Sequence, residues 1–125
     1  MEKVILCVDD EKALLSALQQ QLFREFSGTY LLEFAESGKE ALELIHEFIG
    51  LNTEIACVIT DQMMLGMKGN ELIHEIKKIL PNTPCMLLTG YAENIADFQK
   101  SEEISAVVFK PWEDQELISE IQKLL

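Results

Sequence analysis

Basic residues are scarce in this sequence. Its 125 residues include 10 Lys and Arg against 22 Asp and Glu, which gives a formal net charge of −12. Nucleic-acid binding depends on basic side chains that neutralise phosphates, so this balance argues against a direct nucleic-acid binder. An anionic membrane surface would repel the chain for the same reason. Solubility alone accounts for most of such a charge, but the excess of carboxylates also suits a hard divalent cation.

Cysteines are few and far apart. The three of them, Cys7, Cys57 and Cys85, each lie within an apolar run. An odd number at this spacing does not fit a disulfide framework, and no neighbouring Cys or His suggests a zinc site. We therefore expect three small buried side chains in a reducing compartment, which favours a cytoplasmic protein.

Long apolar runs are also missing. No stretch approaches the ~20 apolar residues that a membrane-spanning helix needs. The first residues lead directly into a strand-like run, which predicts that no signal peptide is present. Because the sequence also has no internal repeat, low-complexity segment or linker, we expect a single domain over residues 1–125.

The sequence does contain a regular alternation of short apolar runs and helical patterns. Strands are predicted at 4–8, 30–35, 55–60, 85–88 and 106–109. The first run is continuous rather than alternating, which is typical of a strand buried on both faces. Five strand–helix units in strict alternation predict an α/β fold: a single-domain, doubly wound, five-stranded parallel sheet with helices on both faces, the flavodoxin-like (βα)5 arrangement.

The predicted helices carry apolar residues every three or four positions. Ser37 and Glu40 have the spacing of a capping box at the start of the second helix. The fourth helix, at about 92–100, has the weakest apolar stripe. The residues that we expect to face the core are Leu15, Leu18, Leu22 and Phe26, then Ala41, Leu44, Ile45 and Phe48, then Leu72, Ile73, Ile76 and Ile79, and finally Leu117, Ile118, Ile121 and Leu125.

Polar residues stand where the predicted strands end. Asp9 and Asp10 follow the first strand, Asp61 ends the third, Thr89 ends the fourth and Lys110 follows the fifth. In open parallel sheets, ligands bind outside the carboxyl ends of the strands. Taken singly, an Asp here could be a helix cap or a turn residue, and Lys110 a surface lysine. Taken together, these residues predict one functional site.

The residue types in this site indicate phosphoryl transfer. Three carboxylates held close together would repel one another, and a divalent cation removes that penalty. Mg²⁺ takes carboxylate oxygens, waters and phosphate oxygens as ligands. Lys110 brings a compact positive charge and Thr89 a hydroxyl donor. A carboxylate nucleophile with a metal ion, a lysine and a hydroxyl group has the components that phosphoryl transfer requires.

With these motifs in this order, the sequence resembles the response-regulator receiver family over essentially its whole length. The motifs are the pair Asp9-Asp10, then Asp61 within residues 58–64, then Thr89-Gly90, then Lys110-Pro111. The resemblance implies that Asp61 is the phosphoacceptor, that Asp10 binds Mg²⁺ directly, and that Asp9 helps through a water. It further implies that the Met63 carbonyl is a metal ligand, that Thr89 and Lys110 contact the phosphoryl group, and that the Lys110–Pro111 bond is cis.

The resemblance also implies a role in two-component or phosphorelay signalling. The phosphoryl donor would be a sensor histidine kinase or a histidine phosphotransfer protein. The modified domain would then switch a surface that a downstream output domain or protein recognises. Such a chain is not a metabolic enzyme, because its chemistry is limited to its own Mg²⁺-dependent phosphorylation and dephosphorylation. The sequence leaves open whether the receiver stands alone or belongs to a longer protein.

Two departures from the family pattern keep an alternative open. The family often has proline four residues after the phosphoacceptor, where this chain has Leu65, which predicts a less stiff loop. It usually has an aromatic residue three positions before the lysine, where this chain has Val107. A docking module that is never phosphorylated would be consistent with Val107.

Other phosphate-handling proteins fit less well. A haloacid-dehalogenase-like phosphatase would need an Asp at position 63 as its acid and base, and this chain has Met63 there and no cap domain. No nucleotide-binding glycine motif is present either.

Overall fold

Five β-strands and five α-helices alternate along the chain in the computed structural model, which describes residues 2–90 and 95–125. The elements are β1 (Lys3–Val8), α1 (Lys12–Phe26), β2 (Leu31–Ala35), α2 (Gly38–Gly50), β3 (Glu54–Asp61), α3 (Gly69–Ile79), β4 (Cys85–Thr89), α4 (Ile95–Lys100), β5 (Ala106–Phe109) and α5 (Asp114–Leu124). The strands form one sheet in the order β2-β1-β3-β4-β5. All four pairings are parallel, which confirms the predicted architecture.

The sheet separates two hydrophobic clusters. On one face, buried side chains of α2 and α3 pack against the sheet, among them Ala41, Ile45 and Leu72. On the other face, α1 and α5 do the same through residues such as Leu18 and Leu117. The continuous apolar run of β1 is explained by this arrangement, because successive side chains enter alternate clusters.

Most residues predicted to face the core do so. All four predicted positions of α1 are buried, whereas Leu44 and Phe48 of α2 are half-buried against their cluster. The prediction for Leu125 is wrong: this residue is 41% exposed. It lies one residue beyond the end of α5, and Leu124 contacts the core in its place.

The predicted α2 capping interaction is present in a slightly shifted form. The Ser37 hydroxyl accepts a hydrogen bond from the Glu40 N–H at 3.1 Å. The Glu40 carboxylate accepts from the Glu36 N–H at 3.1 Å, one residue before the cap. The first bond satisfies a backbone donor that a helix start leaves without a partner, and the second satisfies a donor of the residue before the cap.

The predicted weakness of α4 is borne out where the structure describes it. None of its six residues, Ile95–Lys100, is buried. The first part of the predicted helix, at 92–94, lies outside the described residues. No helix within the described ranges is long and apolar enough to cross a membrane.

The chain makes a very close approach where α3 begins. A Cβ atom at Gly69 would collide with the carbonyl oxygen of Asp61 and with the Leu87 side chain. The Gly69 N–H also donates to the carbonyl oxygen of Gln62 at 3.0 Å. Only glycine lets the start of α3 lie directly against the end of β3.

Gly69→Ala should lower the free energy of unfolding by about 1–3 kcal/mol, because the added methyl group forces backbone apart at a packed junction. Gly50→Ala is the matched control, since its Cβ would have nothing within 4 Å. The control should be as stable as the wild type or more stable by about 0.5–1 kcal/mol. Urea unfolding measures both, and equal stability of the two variants would contradict the close approach.

Candidate functional site

The carboxyl ends of four strands bring the predicted site residues together. Asp9 and Asp10 directly follow β1, Asp61 ends β3, Thr89 ends β4 and Lys110 directly follows β5. The sheet order reverses between β1 and β3, because β2 lies outside β1, and ligands bind at such a switch point. Each of the three aspartates offers a carboxylate oxygen within 4.8 Å of the other two.

Asp9 is the most buried member of the cluster. Its Oδ1 accepts a hydrogen bond from the Glu11 N–H at 2.9 Å. Its Oδ2 is buried and has no hydrogen-bond partner among the described residues. The pKa of Asp9 is raised to about 6, mainly by burial. The hydrogen bond from the Glu11 N–H lowers this pKa, and the nearby charge of Asp61 raises it. Asp9 thus bonds the backbone at the start of α1, as a helix-capping Asp would, although the N-cap residue of α1 is Glu11 and not Asp9.

Asp10 is solvent-exposed and is held by the loop that follows β3. Its Oδ2 accepts a hydrogen bond from the backbone N–H of Leu65 at 2.9 Å. This contact joins residues 55 positions apart in the sequence. The carboxylate is therefore oriented by a backbone group rather than left to rotate in solvent.

Asp61 is buried beside the one cation in the cluster. The Lys110 Nζ atom lies 2.5 Å from Asp61 Oδ1. Burial raises the pKa of Asp61, while the hydrogen bond and the charge of Lys110 oppose that rise. The Lys110 N–H donates to the carbonyl oxygen of Thr89 at 2.9 Å, which fixes the lysine against the end of β4.

Thr89 is buried in the position that the sequence predicts. It pairs in register with Phe109 on β5. The Lys110–Pro111 peptide bond, just after β5, is cis, as the family resemblance implies. Val107 lies two pairings earlier on β5, opposite Leu87, so the fifth strand presents no aromatic ring at that position.

Sequence reasoning missed the contacts that order the loop between β3 and α3. The Gln62 side chain donates to Asn70 Oδ1 at 2.9 Å and accepts from the Asn70 N–H at 2.8 Å. Gln62 is buried despite its polarity, and these two bonds explain how. Met63 lies next to this pair and is 53% exposed. A buried Gln has no motif of its own, and its only sequence signal was adjacency to Asp61.

The residues of the cluster fit a magnesium ion. Mg²⁺ prefers carboxylate and carbonyl oxygens and retains several waters. The cluster offers three carboxylates, and the orphaned Oδ2 of Asp9 is a buried acceptor that lacks a donor or cation. Asp10 and Asp61 can supply direct ligands, and Asp9 can orient a metal-bound water.

Comparison with known proteins identifies the family of the chain. The model of the response regulator receiver domain matches residues 5–122. The chain belongs to the response-regulator receiver family. Curated relatives include the transcriptional regulatory protein CpxR homolog of Haemophilus influenzae, 36% identical over all of this chain and 51% of its own length. Another is response regulator MprA of a Mycobacterium species, 30% identical over 97% of this chain and 50% of its own.

Solved receiver structures have the same fold. Response regulator TrrA of Thermotoga maritima, whose structure is a complex with Mg²⁺ and BeF, superposes with a TM-score of 0.82 at 32% identity, and the match covers 100% of both chains. A signal receiver domain from Pseudomonas fluorescens gives 0.83 at 32% identity, covering 99% of this chain and 94% of its own. The chain spans 32% of the length of YesN of Bacillus subtilis and about half the length of the other first curated relatives that it matches.

Asp9→Asn should stabilise the metal-free receiver at pH 7. An Asp whose pKa is about 6 in the folded state and ordinary in the unfolded state binds more protons when folded, so the free energy of unfolding falls as pH rises from about 4 to about 6. Asn removes that penalty and keeps the acceptor for Glu11. The gain at pH 7 is at most about 3 kcal/mol and vanishes near pH 4.

Thermal or urea unfolding in the presence of a chelator, at pH 4 and pH 7, measures this difference. Glu43→Gln, which removes one exposed charge from α2, is the control and should change stability by no more than about 0.5 kcal/mol. A less stable Asp9→Asn variant at pH 7 would contradict the buried, uncompensated carboxylate.

Proposed function

We propose that this receiver accepts one phosphoryl group on Asp61 in a Mg²⁺-dependent reaction, and that residues 1–125 act together as one signalling domain. The observation that carries the proposal is the placement of the Asp61 carboxylate between two acidic neighbours and the Lys110 ammonium group. A nucleophile that is held beside a cation site and a lysine has the geometry of phosphoryl transfer.

The chemistry divides among the residues of the cluster. An oxygen of Asp61 attacks the phosphorus atom of the donor, the bond to the donor nitrogen breaks, and an acyl phosphate forms. Asp10, Asp61 and the Met63 carbonyl would hold Mg²⁺, which would supply positive charge to offset that of the carboxylates and the phosphoryl oxygens. Lys110, which pairs with Asp61 before the reaction, then contacts the phosphoryl group. The Thr89 hydroxyl donates a hydrogen bond to the same phosphoryl group. Hydrolysis of the acyl phosphate returns the receiver to its first state.

The partners that we propose follow from this chemistry. The donor is a phosphohistidine on a sensor histidine kinase or a histidine phosphotransfer protein. One relative is the sensor kinase CckA of Brucella abortus, 35% identical over 72% of this chain and 9% of its own length, so a similar segment occurs within a kinase. The recipient of the signal is an output domain or a separate protein, and the charge of −12 argues that nucleic acid is not bound by the receiver itself.

The surface that we expect to switch includes α4. None of the residues in Ile95–Lys100 is buried, so few apolar contacts resist its displacement. Thr89 ends β4, the strand that precedes this helix, six residues before Ile95. Movement of Thr89 toward a phosphoryl group would therefore reach α4 through a short stretch of chain.

Val107 is the observation that favours the alternative of an unphosphorylated docking module. It is half-buried on β5, and a valine cannot make the rotation that an aromatic ring makes in related receivers. The same module would nevertheless have no use for the Asp9–Asp10–Asp61 cluster, whose mutual repulsion costs stability. A measurement of whether the chain becomes phosphorylated distinguishes the receiver from the docking module.

Acetyl phosphate with Mg²⁺ should add one phosphoryl group to the wild-type receiver, measured as intact mass. Asp61→Asn should remove the reaction, because the amide is not a nucleophile. Asp97→Asn, an equivalent change at an exposed position of α4, is the control and should react as the wild type. If the wild type remains unmodified under conditions that label a known receiver, the docking-module alternative is favoured.

Mg²⁺ should stabilise the folded receiver, because the ion binds the native carboxylate cluster and not the unfolded chain. The gain at a concentration of about 100 times Kd is roughly 2.7 kcal/mol. Asp10→Ala should abolish this gain by removing a direct ligand, whereas Asp97→Ala should retain it. Thermal melts over a Mg²⁺ series measure the effect, and a wild-type Tm that does not respond to Mg²⁺ would argue against the metal site.

A further inference from the structure

The loop between β3 and α3 is fastened at both ends. At its start, the Gln62 side chain makes two hydrogen bonds to Asn70, the second residue of α3. At its end, the Gly69 N–H donates to the Gln62 carbonyl, and a Cβ atom at Gly69 would collide with the Asp61 carbonyl oxygen. The loop, residues 62–69, therefore forms a closed arch whose two ends are fixed beside Asp61.

The middle of this arch is attached to the site by a backbone group. The Leu65 N–H donates to Asp10 Oδ2 at 2.9 Å. The Leu65 side chain is 87% exposed, so its hydrocarbon adds little packing. What Leu65 contributes at this point is its N–H, which every residue except proline possesses.

The contact engages one oxygen of a carboxylate that has two. Asp10 is exposed, and without the bond its carboxylate would sample several rotamers in solvent. With Oδ2 held by the Leu65 N–H, the group keeps one orientation and retains acceptor capacity for a cation. Ligating carboxylates are commonly oriented by such outer hydrogen bonds.

The same bond relates two of the groups to which we assign the metal. Met63 is two residues before Leu65 in the arch, and its carbonyl is the backbone ligand of the proposed site. Since Gln62 is fixed on one side of Met63 and Leu65 on the other, the segment that carries this carbonyl is held relative to Asp10. Ligands that are held in place before the ion arrives lose less conformational entropy on binding.

We propose that the Leu65 N–H is a positioning group for the metal site, which sets the orientation of Asp10 and the position of the Met63 carbonyl. This inference rests on the proposed function, because it takes Mg²⁺ to bind at the cluster. It assigns a role to a residue whose side chain touches neither the ion nor the phosphoryl group. It also explains why a residue other than proline is useful at position 65, because proline has no N–H to donate to Asp10.

Leu65→Pro should weaken Mg²⁺ binding about tenfold, at the lower end of the range for outer-sphere partners because Asp10 is exposed. Leu65→Ala keeps the N–H and should bind Mg²⁺ as the wild type does. Titration calorimetry, or the fluorescence of Trp112 near Lys110, measures the affinity of each variant for Mg²⁺ alone. Proline also stiffens the loop, which by itself would favour an ordered site, so stiffening does not explain a loss.

The hydrogen bond itself is tested without metal. In the wild type with a chelator, the Leu65 amide should exchange with solvent slowly for a residue at an exposed loop position. Asp10→Ala should accelerate that exchange on the order of tenfold, because the acceptor is lost. Asp10→Asn, which keeps an acceptor oxygen without the charge, should retain most of the protection, and the Asn70 amide, bonded to Gln62, should be unchanged in both variants.

Each outcome decides the proposal. Weaker Mg²⁺ binding by Leu65→Pro alone, with Leu65 protection lost in Asp10→Ala, supports it. Wild-type affinity in Leu65→Pro, or an equal loss in Leu65→Ala, overturns it, as does an unchanged Leu65 exchange rate in Asp10→Ala. If Leu65→Pro does not fold, the exchange measurement decides alone. Failure of the proposed function looks different, because the wild type itself would then neither bind Mg²⁺ nor react with acetyl phosphate.

Discussion

Three carboxylate groups at one edge of the sheet share a space in which their charges repel one another, and the arrangement around them follows from that constraint. Parallel strands fix the backbone at Asp9, Asp10 and Asp61, so the three side chains start from neighbouring points at the same edge of the sheet. Each is compensated differently: Asp61 by Lys110, Asp10 by the Leu65 N–H, and Asp9 only in part by the Glu11 N–H. The remaining deficit at Asp9 Oδ2 is the clearest physical reason for a cation at this place.

The fold could be predicted because its determinants are local and repetitive. Continuous apolar runs specify strands that are buried on both faces, and a period of 3.6 residues specifies the helices. The errors lie at the ends of elements, where one residue changes the outcome. Leu125 fits the apolar period of α5, but the helix ends before it, so its side chain extends into solvent.

The candidate site divides along the same line. Residues that occupy strand ends, such as Asp61 and Lys110, could be predicted from the order of elements, because topology brings those ends together. The Leu65 N–H and the Gln62–Asn70 pair could not. A backbone donor has no residue type, and a contact between positions 10 and 65 depends on the path of a loop. The family resemblance implied the metal ligands. It gave no indication of the Leu65 hydrogen bond, because proline, which the family often has at this position, has no N–H to donate.

The three cysteines that the sequence predicts to be buried divide between the two sides of the sheet: Cys7 and Cys57 belong to the cluster beneath α1 and α5, and Cys85 to the cluster beneath α2 and α3. All are fully buried, and burial raises the pKa of Cys57 to about 12 and that of Cys85 to about 11, so in the folded state neither steric access nor ionisation favours reaction. The rate at which an alkylating reagent labels these cysteines therefore measures how often the interior opens. Peptide mapping of the label would then report whether the two halves of the interior come apart together or one before the other, using cysteines that the chain already carries.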